Sequence, residues 1–269
     1  MIFESNKEPF GSHALTGYKR VLTNIAQGLS NSYMSQRFAY VLRKLVLQNQ
    51  LRVIDGETLG IRARFYPLDN LGDRLSLFFP KVFEAEEFAF LSETLTFDSV
   101  FIDIGANSGF YSLIAAKIID ERGKIIAVEP NPVMIERLRM NIDLNGKRSI
   151  IEVIPLGLAD REMEFELALD PTNLGGSTIA PTSHKHKVKI KCIPLLEALR
   201  GKVDRIDVLK IDIESADALV MNAFFKSAPK ALYPRFVIIE TNEGLDMKSF
   251  GYKEIAKPRD SNTIYARVN

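Results

Sequence analysis

The sequence has one cysteine, Cys192, among 269 residues. An internal disulfide and a cysteine-built zinc site are therefore excluded. Cys192 sits in the alternating run Val188-Lys189-Ile190-Lys191-Cys192-Ile193, which marks it as a small core side chain. Neither sign of charge is in excess: 35 lysines and arginines face 34 aspartates and glutamates, a formal net charge of +1. There is thus no global field to gather nucleic acid, and no basic stripe with interleaved aromatics lies outside the N-terminal helices. No apolar run approaches the ~18 residues that cross a bilayer. Residues 1–10 carry two acids and no apolar core, unlike a secretory signal. The expectation is a cytoplasmic protein without a transmembrane segment or a nucleic-acid partner.

What the sequence does contain is organised around Val100-Phe101-Ile102-Asp103-Ile104-Gly105-Ala106-Asn107-Ser108-Gly109. An apolar run without alternation suits a strand buried on both faces. Gly105 and Gly109 allow a tight turn and close approach to a ligand. Phe110 to Lys117 then reads as a helix whose free N–H groups face that turn. The next strand repeats the pattern: Lys124-Ile125-Ile126-Ala127-Val128 ends in Glu129, about two dozen residues beyond Gly105. That is close to the spacing at which nucleotide-binding α/β folds place a carboxylate for ribose hydroxyls.

From residue 99 onward strands and helices alternate: strands at 100–104, 124–129, 150–155, 206–212 and 235–240, with helices at 109–120, 132–144 and 215–226. Such alternation predicts a mostly parallel sheet with helices on both faces. The strands at 252–257 and 263–268 are joined too closely for a helical crossover and should pair antiparallel. An insertion between the third and fourth strands carries two alternating strands, 163–169 and 187–193. Its connection holds Asn173-Leu174-Gly175-Gly176-Ser177-Thr178, read as a substrate-side loop, and His184-Lys185-His186-Lys187, read as a solvated loop in preference to a metal or phosphate contact, since no third ligand of matching spacing is visible. Before residue 96 the pattern predicts two amphipathic helices over 14–50, a hairpin turning at Asp55-Gly56, a short strand at 74–79 and a helix at 84–95. The second helix carries Arg37, Arg43 and Lys44. A basic amphipathic helix can lie on a membrane, but packing on the main domain or on a second copy of the chain is the commoner arrangement and the expectation. The domain reading is an N-terminal lid-like extension over 1–95 and a ligand-binding domain over 96–269.

Four apolar runs end in a carboxylate: Asp103, Glu129, Asp212 and Glu240. In a parallel sheet those ends share one rim, where open α/β folds bind ligands. Four acids together repel, so a cation, a ligand amine or hydroxyl donors should compensate them. S-adenosylmethionine brings a sulfonium, an amine and two ribose hydroxyls. A nicotinamide dinucleotide brings an anionic pyrophosphate, and the Gly-x-Gly-x-x-Gly spacing it calls for is absent.

Asp103-Ile-Gly105-Ala106-Asn107-Ser-Gly109, Glu129-Pro130-Asn131, Leu158-Ala159-Asp160, Lys210-Ile211-Asp212-Ile213-Glu214 and Ile239-Glu240 together resemble the FkbM-type family of class I S-adenosylmethionine-dependent methyltransferases. The resemblance runs from about residue 83 to the C-terminus. It implies a Rossmann-like α/β fold, with a mostly parallel seven-stranded sheet whose last strand is antiparallel, preceded here by the helical and β-hairpin extension. It further implies S-adenosyl-L-methionine as cofactor and O-methylation of a small-molecule or glycan hydroxyl. Asp103, Gly105, Ala106, Asn107 and Gly109 would hold the methionine part, Glu129 and Asn131 the ribose, and Asp160 the adenine amine. Asp212 and Glu214 would be catalytic, with Glu214 and Glu240 raising the pKa of Asp212 to suit a general base. Ser215 and Asp217 stand where the family has Gly and Glu, and Pro194-Leu195-Leu196-Glu197 replaces a Leu-Asp pair. The competing readings are a nicotinamide-dependent oxidoreductase, a non-catalytic module that kept the fold, and metal-assisted transfer with Mg²⁺ on Asp212, Glu214 and Glu240. The N-terminal helices are long and apolar enough to join two copies in a homodimer.

Overall fold

A computed structural model describes residues 8–48, 51–176, 187–213, 216–240, 244–258 and 262–268. Two helices come first, α1 (Gly17–Gly28) and α2 (Tyr33–Val46), then the hairpin β1 (Ile54–Thr58) and β2 (Ile61–Phe65) and helices α3 (Leu71–Phe78) and α4 (Ala85–Thr94). The alternating part runs β3 (Val100–Ile104), α5 (Phe110–Ala115), β4 (Lys124–Val128), α6 (Pro132–Leu144) and β5 (Ile151–Ile154). The insertion supplies β6 (Gly157–Leu158), β7 (Met163–Ala168) and β8 (Lys187–Ile193), followed by α7 (Leu195–Leu199). Then come β9 (Val208–Ile211), α8 (Asp217–Ser227), β10 (Phe236–Ile239), β11 (Tyr252–Ala256) and β12 (Thr263–Arg267).

The main sheet has seven strands in the order β11-β12-β10-β9-β3-β4-β5. Strands β10, β9, β3, β4 and β5 are parallel, and β12 runs antiparallel to both its neighbours. This is the α/β sheet anticipated above. The chain leaves β3 toward β4 and β5, then returns to β9 on the other side of β3. That reversal opens a crevice at the C-terminal strand ends. The insertion folds as a separate small sheet in which β7 and β8 pair antiparallel from Met163–Cys192 to Ala168–Lys187.

Alternation along each strand divides the core into two layers. Phe101, Ile125 and Val208 face one layer, which continues without a break into α1, α2, the hairpin and α3. Ile102, Ile104, Leu209 and Ile211 face the other, under α7 and α8. Cys192 is a buried free thiol.

Two local expectations are corrected. Residues 74–78 belong to α3 and Phe79 caps its end, because Asn70 starts that helix by accepting from the Asp73 N–H at 3.1 Å. The hairpin turns at Leu59-Gly60, both with positive φ. Asp55 instead lies inside β1, where it accepts from Arg64 Nε at 2.7 Å and from the Gly11 N–H at 2.8 Å.

Candidate active site

The turn after β3 is shaped by three residues with positive φ: Gly105 (73°), Asn107 (51°) and Gly109 (95°). A Cβ on Gly105 would stand 2.0 Å from the Asp212 carbonyl oxygen, so bare backbone is required where β3 and β9 end together. A Cβ on Gly109 would stand 2.5 Å from Leu138 Cδ1, so this glycine lets α5 pack on α6. Gly105→Ala is expected to cost about 2–4 kcal/mol in urea unfolding. Gly146 also has positive φ, +63°, but open space around it. Gly146→Ala should therefore cost about 1 kcal/mol, through backbone strain alone. Equal losses would show that close approach to Asp212 does not matter.

Glu129 closes the turn from the β4 side. Its two carboxylate oxygens accept from the Asn107 N–H at 2.8 Å and the Asn131 N–H at 2.9 Å. Burial pushes its pKa up to about 7, against the pull of those two N–H groups and of Lys210. The Asn131 side chain accepts from the Val133 N–H and donates to the Leu174 carbonyl at 2.9 Å, tying the insertion to the start of α6. The N-terminal part grips the same turn. Asn70 Nδ2 donates to Asn107 Oδ1 at 2.7 Å, and Ser108 Oγ donates to Asp73 Oδ1 at 2.6 Å. Arg137 holds Asp69 through both nitrogens, at 2.7 and 3.1 Å, while lying over the Tyr66 ring.

The compensating cation on the acidic rim is Lys210. It is 3% exposed, with Nζ 3.3 Å from Asp212 Oδ2, 3.4 Å from the Gly105 carbonyl and 5.0 Å from the centre of the Tyr111 ring. Burial works to strip its proton, but Asp212, then Asp103 and Glu84, outweigh it and raise its pKa. Lys210 is the one charge in the apolar run Val208-Leu209-Lys210-Ile211, and that interruption is the signal the sequence offered.

Asp212 consequently behaves opposite to expectation. Its pKa is lowered, chiefly by Lys210 against desolvation, and its hydrogen bond with Glu240 lowers it further. An adjacent ammonium favours the carboxylate, so Asp212 is not tuned as a base for neutral pH. Besides Glu129, the cleft carboxyl held near neutrality is Glu84, which in the sequence is legible only as a helix start. Burial, opposed by its hydrogen bond with Tyr111 and assisted by Glu87, moves its pKa up to about 7. The Tyr111 hydroxyl donates to Glu84 Oε2 at 2.5 Å, and Asn262 Nδ2 donates to the same oxygen at 3.1 Å. Glu84 also has a left-handed backbone, φ 49° and ψ 31°, a conformation that costs a non-glycine residue on the order of 1 kcal/mol and gathers at functional sites.

These groups border a cleft of about 270 Å³. Gly105, Ala106, Asn107, Glu129 and Asp212 line it, as do Glu84, Tyr111 and Lys210. Its apolar walls include Leu71, Phe83, Leu158 and Ile190, and Gly175 and Gly176 of the insertion border it too. Asp103 lies beneath the cleft, fully buried. It pairs across the sheet with Lys210 and accepts from the Ser112 N–H at 3.0 Å and the Ser112 hydroxyl at 2.6 Å. Strand alternation turns it into the α5 layer, so any attraction for a ligand amine acts through the field. Gly109 and Asn131 stand behind the wall as described. Asp160 is turned to solvent, 3.8 Å from Arg161. Asp217 accepts from the Ile213 N–H at 2.9 Å and so fixes the end of β9. Glu214, Ser215 and His184-Lys185-His186 lie outside the described residues. Among the described residues no cluster of three metal-ligating side chains occurs.

Residues 103–256 match the Methyltransferase FkbM domain family. The chain is 28% identical over 173 residues to Methyltransferase sdnD of Sordaria araneosa, covering 53% of this chain and 66% of that protein. It is 36% identical over 53 residues to Protein-L-isoaspartate O-methyltransferase of Aeropyrum pernix, covering 20% of each. The matched stretch thus spans less than two thirds of either relative. Among solved structures, a methyltransferase from Geobacter sulfurreducens aligns with a TM-score of 0.43 at 10% identity, over 93% of this chain and 96% of that one.

Proposed function

The chain belongs to the FkbM methyltransferase family, and from that premise we propose that it transfers a methyl group from S-adenosyl-L-methionine to a hydroxyl oxygen on a sugar or small molecule. The observation that carries this reading is Glu129. It is a buried carboxylate at a parallel-strand end, held by two backbone N–H groups beside a glycine turn, with an apolar wall across the cleft. Each of its oxygens keeps accepting capacity for a ligand hydroxyl.

The residues present fit the cofactor. Glu129 would take the ribose hydroxyls, and Gly105, Ala106 and Asn107 would offer backbone to the methionine part. Leu158, Ile190 and Cys192 would flank the adenine in place of a direct contact from Asp160. When bound, the cofactor supplies an electrophilic methyl on a cationic sulfur. The chain's own task is to align the acceptor oxygen and accept its proton. Asp212, kept anionic by Lys210, would accept a hydrogen bond from the hydroxyl. Glu84, nearer neutrality, would hold the proton released as the oxygen–methyl bond forms. Glu214 stays assigned to the acceptor side by its place after Asp212 in the motif. Alignment should give most of the acceleration, and proton removal roughly 10²–10⁴-fold.

Mass spectrometry of the gently purified protein should find S-adenosylmethionine or its demethylated product retained. Calorimetry adds a signed test. Hydroxyl donors require the Glu129 carboxylate, whose free-state pKa is about 7. Affinity should therefore fall roughly tenfold between about pH 8 and about pH 6, as that group takes up a proton. No retained ligand and no heat on adding the cofactor would sink the proposal.

A further inference from the structure

The helical hairpin of α1 and α2 has no part in the cleft chemistry. Each helix packs inward through a narrow stripe: Thr23 and Ala26 on α1, and Ala39, Leu42 and Val46 on α2. Each also turns a second apolar stripe outward. On α1 it is Tyr18, Val21 and Ile25, at 60, 56 and 43% exposure. On α2 it is Met34, Phe38, Val41 and Leu45, at 73, 50, 50 and 38%. Spacings of three and four residues put each set on one line of its helix. Contiguous large apolar side chains of this kind mark an interaction surface.

Charge identifies the partner. Between Pro9 and Ile54 there is no aspartate or glutamate, and there are six lysines and arginines. With +1 overall and +6 in this segment, the rest of the chain carries −5. Arg37 lies 5.6 Å from the centre of the Tyr33 ring and Lys44 4.7 Å from that of Tyr40. Lys19, Arg20, Arg37, Arg43 and Lys44 have no carboxylate partner among the described residues. Apolar stripes edged by exposed tyrosines and unpaired cations match the boundary between lipid headgroups and acyl chains.

We propose that the α1–α2 hairpin docks this protein on the surface of an anionic lipid bilayer. A second copy fits less well. A two-fold contact sets the same patch against itself, which here brings cations against cations with no acid to separate them. The surface also adjoins the cleft. Both helices pack on α3, whose Leu71, Gly72 and Leu75 form part of the cleft wall. Docking is peripheral, since no helix among the described residues is long and apolar enough to cross a membrane. None of this depends on the methyltransferase reading.

The test is co-sedimentation of the full chain with two vesicle preparations: phosphatidylcholine alone, and phosphatidylcholine with about 30 mol % phosphatidylserine. Binding should be at least about tenfold stronger to the anionic vesicles and should be lost at about 0.5 M salt. The pair Phe38→Ser with Val41→Ser should weaken it about tenfold or more. The pair Arg37→Glu with Lys44→Glu should do the same with an unchanged thermal midpoint, because both side chains leave the core untouched. If the apolar pair fails to fold, the charge-reversal pair decides alone. Equal binding to both vesicles, or none to either, overturns the proposal. So does a dimer in light scattering that the apolar pair dissolves, which would give this face to a second copy.

Discussion

Glu129→Ala is expected to remove S-adenosylmethionine binding from calorimetric detection while leaving the protein folded. The carboxylate would offer two charge-assisted hydrogen bonds to the ribose, each contributing about 1.5–3 kcal/mol. Their joint loss corresponds to roughly 10²–10⁴-fold in affinity. The Asn107 and Asn131 N–H groups would also lose their acceptor, which loosens the turn that shapes the site. Stability should respond much less. The raised pKa of Glu129, about 7, means that its burial costs more than its local hydrogen bonds return when it is charged. The thermal midpoint near pH 8 should accordingly move little while the binding heat disappears. An affinity within about threefold of the parent, well under 1.4 kcal/mol, would show that Glu129 does not hold the ribose.

Lys210→Met should produce the largest loss of stability. The substitution keeps a side chain of similar length but leaves Asp103, Asp212 and Glu84 without the ammonium that each of them senses. Removing one member of a buried charge group costs about 3–5 kcal/mol. The pH dependence separates that cost from a packing defect. Without Lys210 the folded-state pKa values of these carboxyls rise, so the folded variant binds more protons than its unfolded chain in the range between the two sets of values. Stability then falls as pH rises through that range and recovers as pH is lowered. Urea unfolding should show a large deficit near pH 8 that shrinks near pH 5. A deficit that is constant with pH would mean the lysine acts through its volume and not its charge.

The same lysine shows how far the sequence could be read. The strand ends at Asp103, Glu129 and Asp212 were visible as acids closing apolar runs, and the question of what neutralises them was visible too. From the sequence a ligand is the natural answer, whereas the fold supplies one internally in Lys210. Register pairs Asp103 with Lys210 across two parallel strands. The sign of the Asp212 shift has the same origin: the acids at strand ends are visible in the sequence, and the nearer Lys210 ammonium that lowers the pKa is set by the fold. Glu84 is not legible as a site residue because it precedes the sheet in sequence. Its meeting with Tyr111 and Asn262 spans 27 and 178 positions along the chain. Asn70 and Asp73, which reach over to brace Asn107 and Ser108, lie just before the 74–79 stretch, where the sequence pattern assigns no element.

By itself the sequence determined the order of the seven main-sheet strands and of helices α5, α6 and α8, the glycine turn after β3 and the carboxylate at the end of β4. Each of these depends on residues adjacent in the chain, where side-chain period and backbone freedom act locally. Only the tertiary structure decided which acid meets which cation, which carboxyl stays near neutral pKa, and which apolar stripes of α1 and α2 stay uncovered. Those outcomes depend on strand register, burial and the packing of distant segments. Electrostatic energy in a low-dielectric interior follows distance in space, and a linear pattern of residue types does not contain that distance.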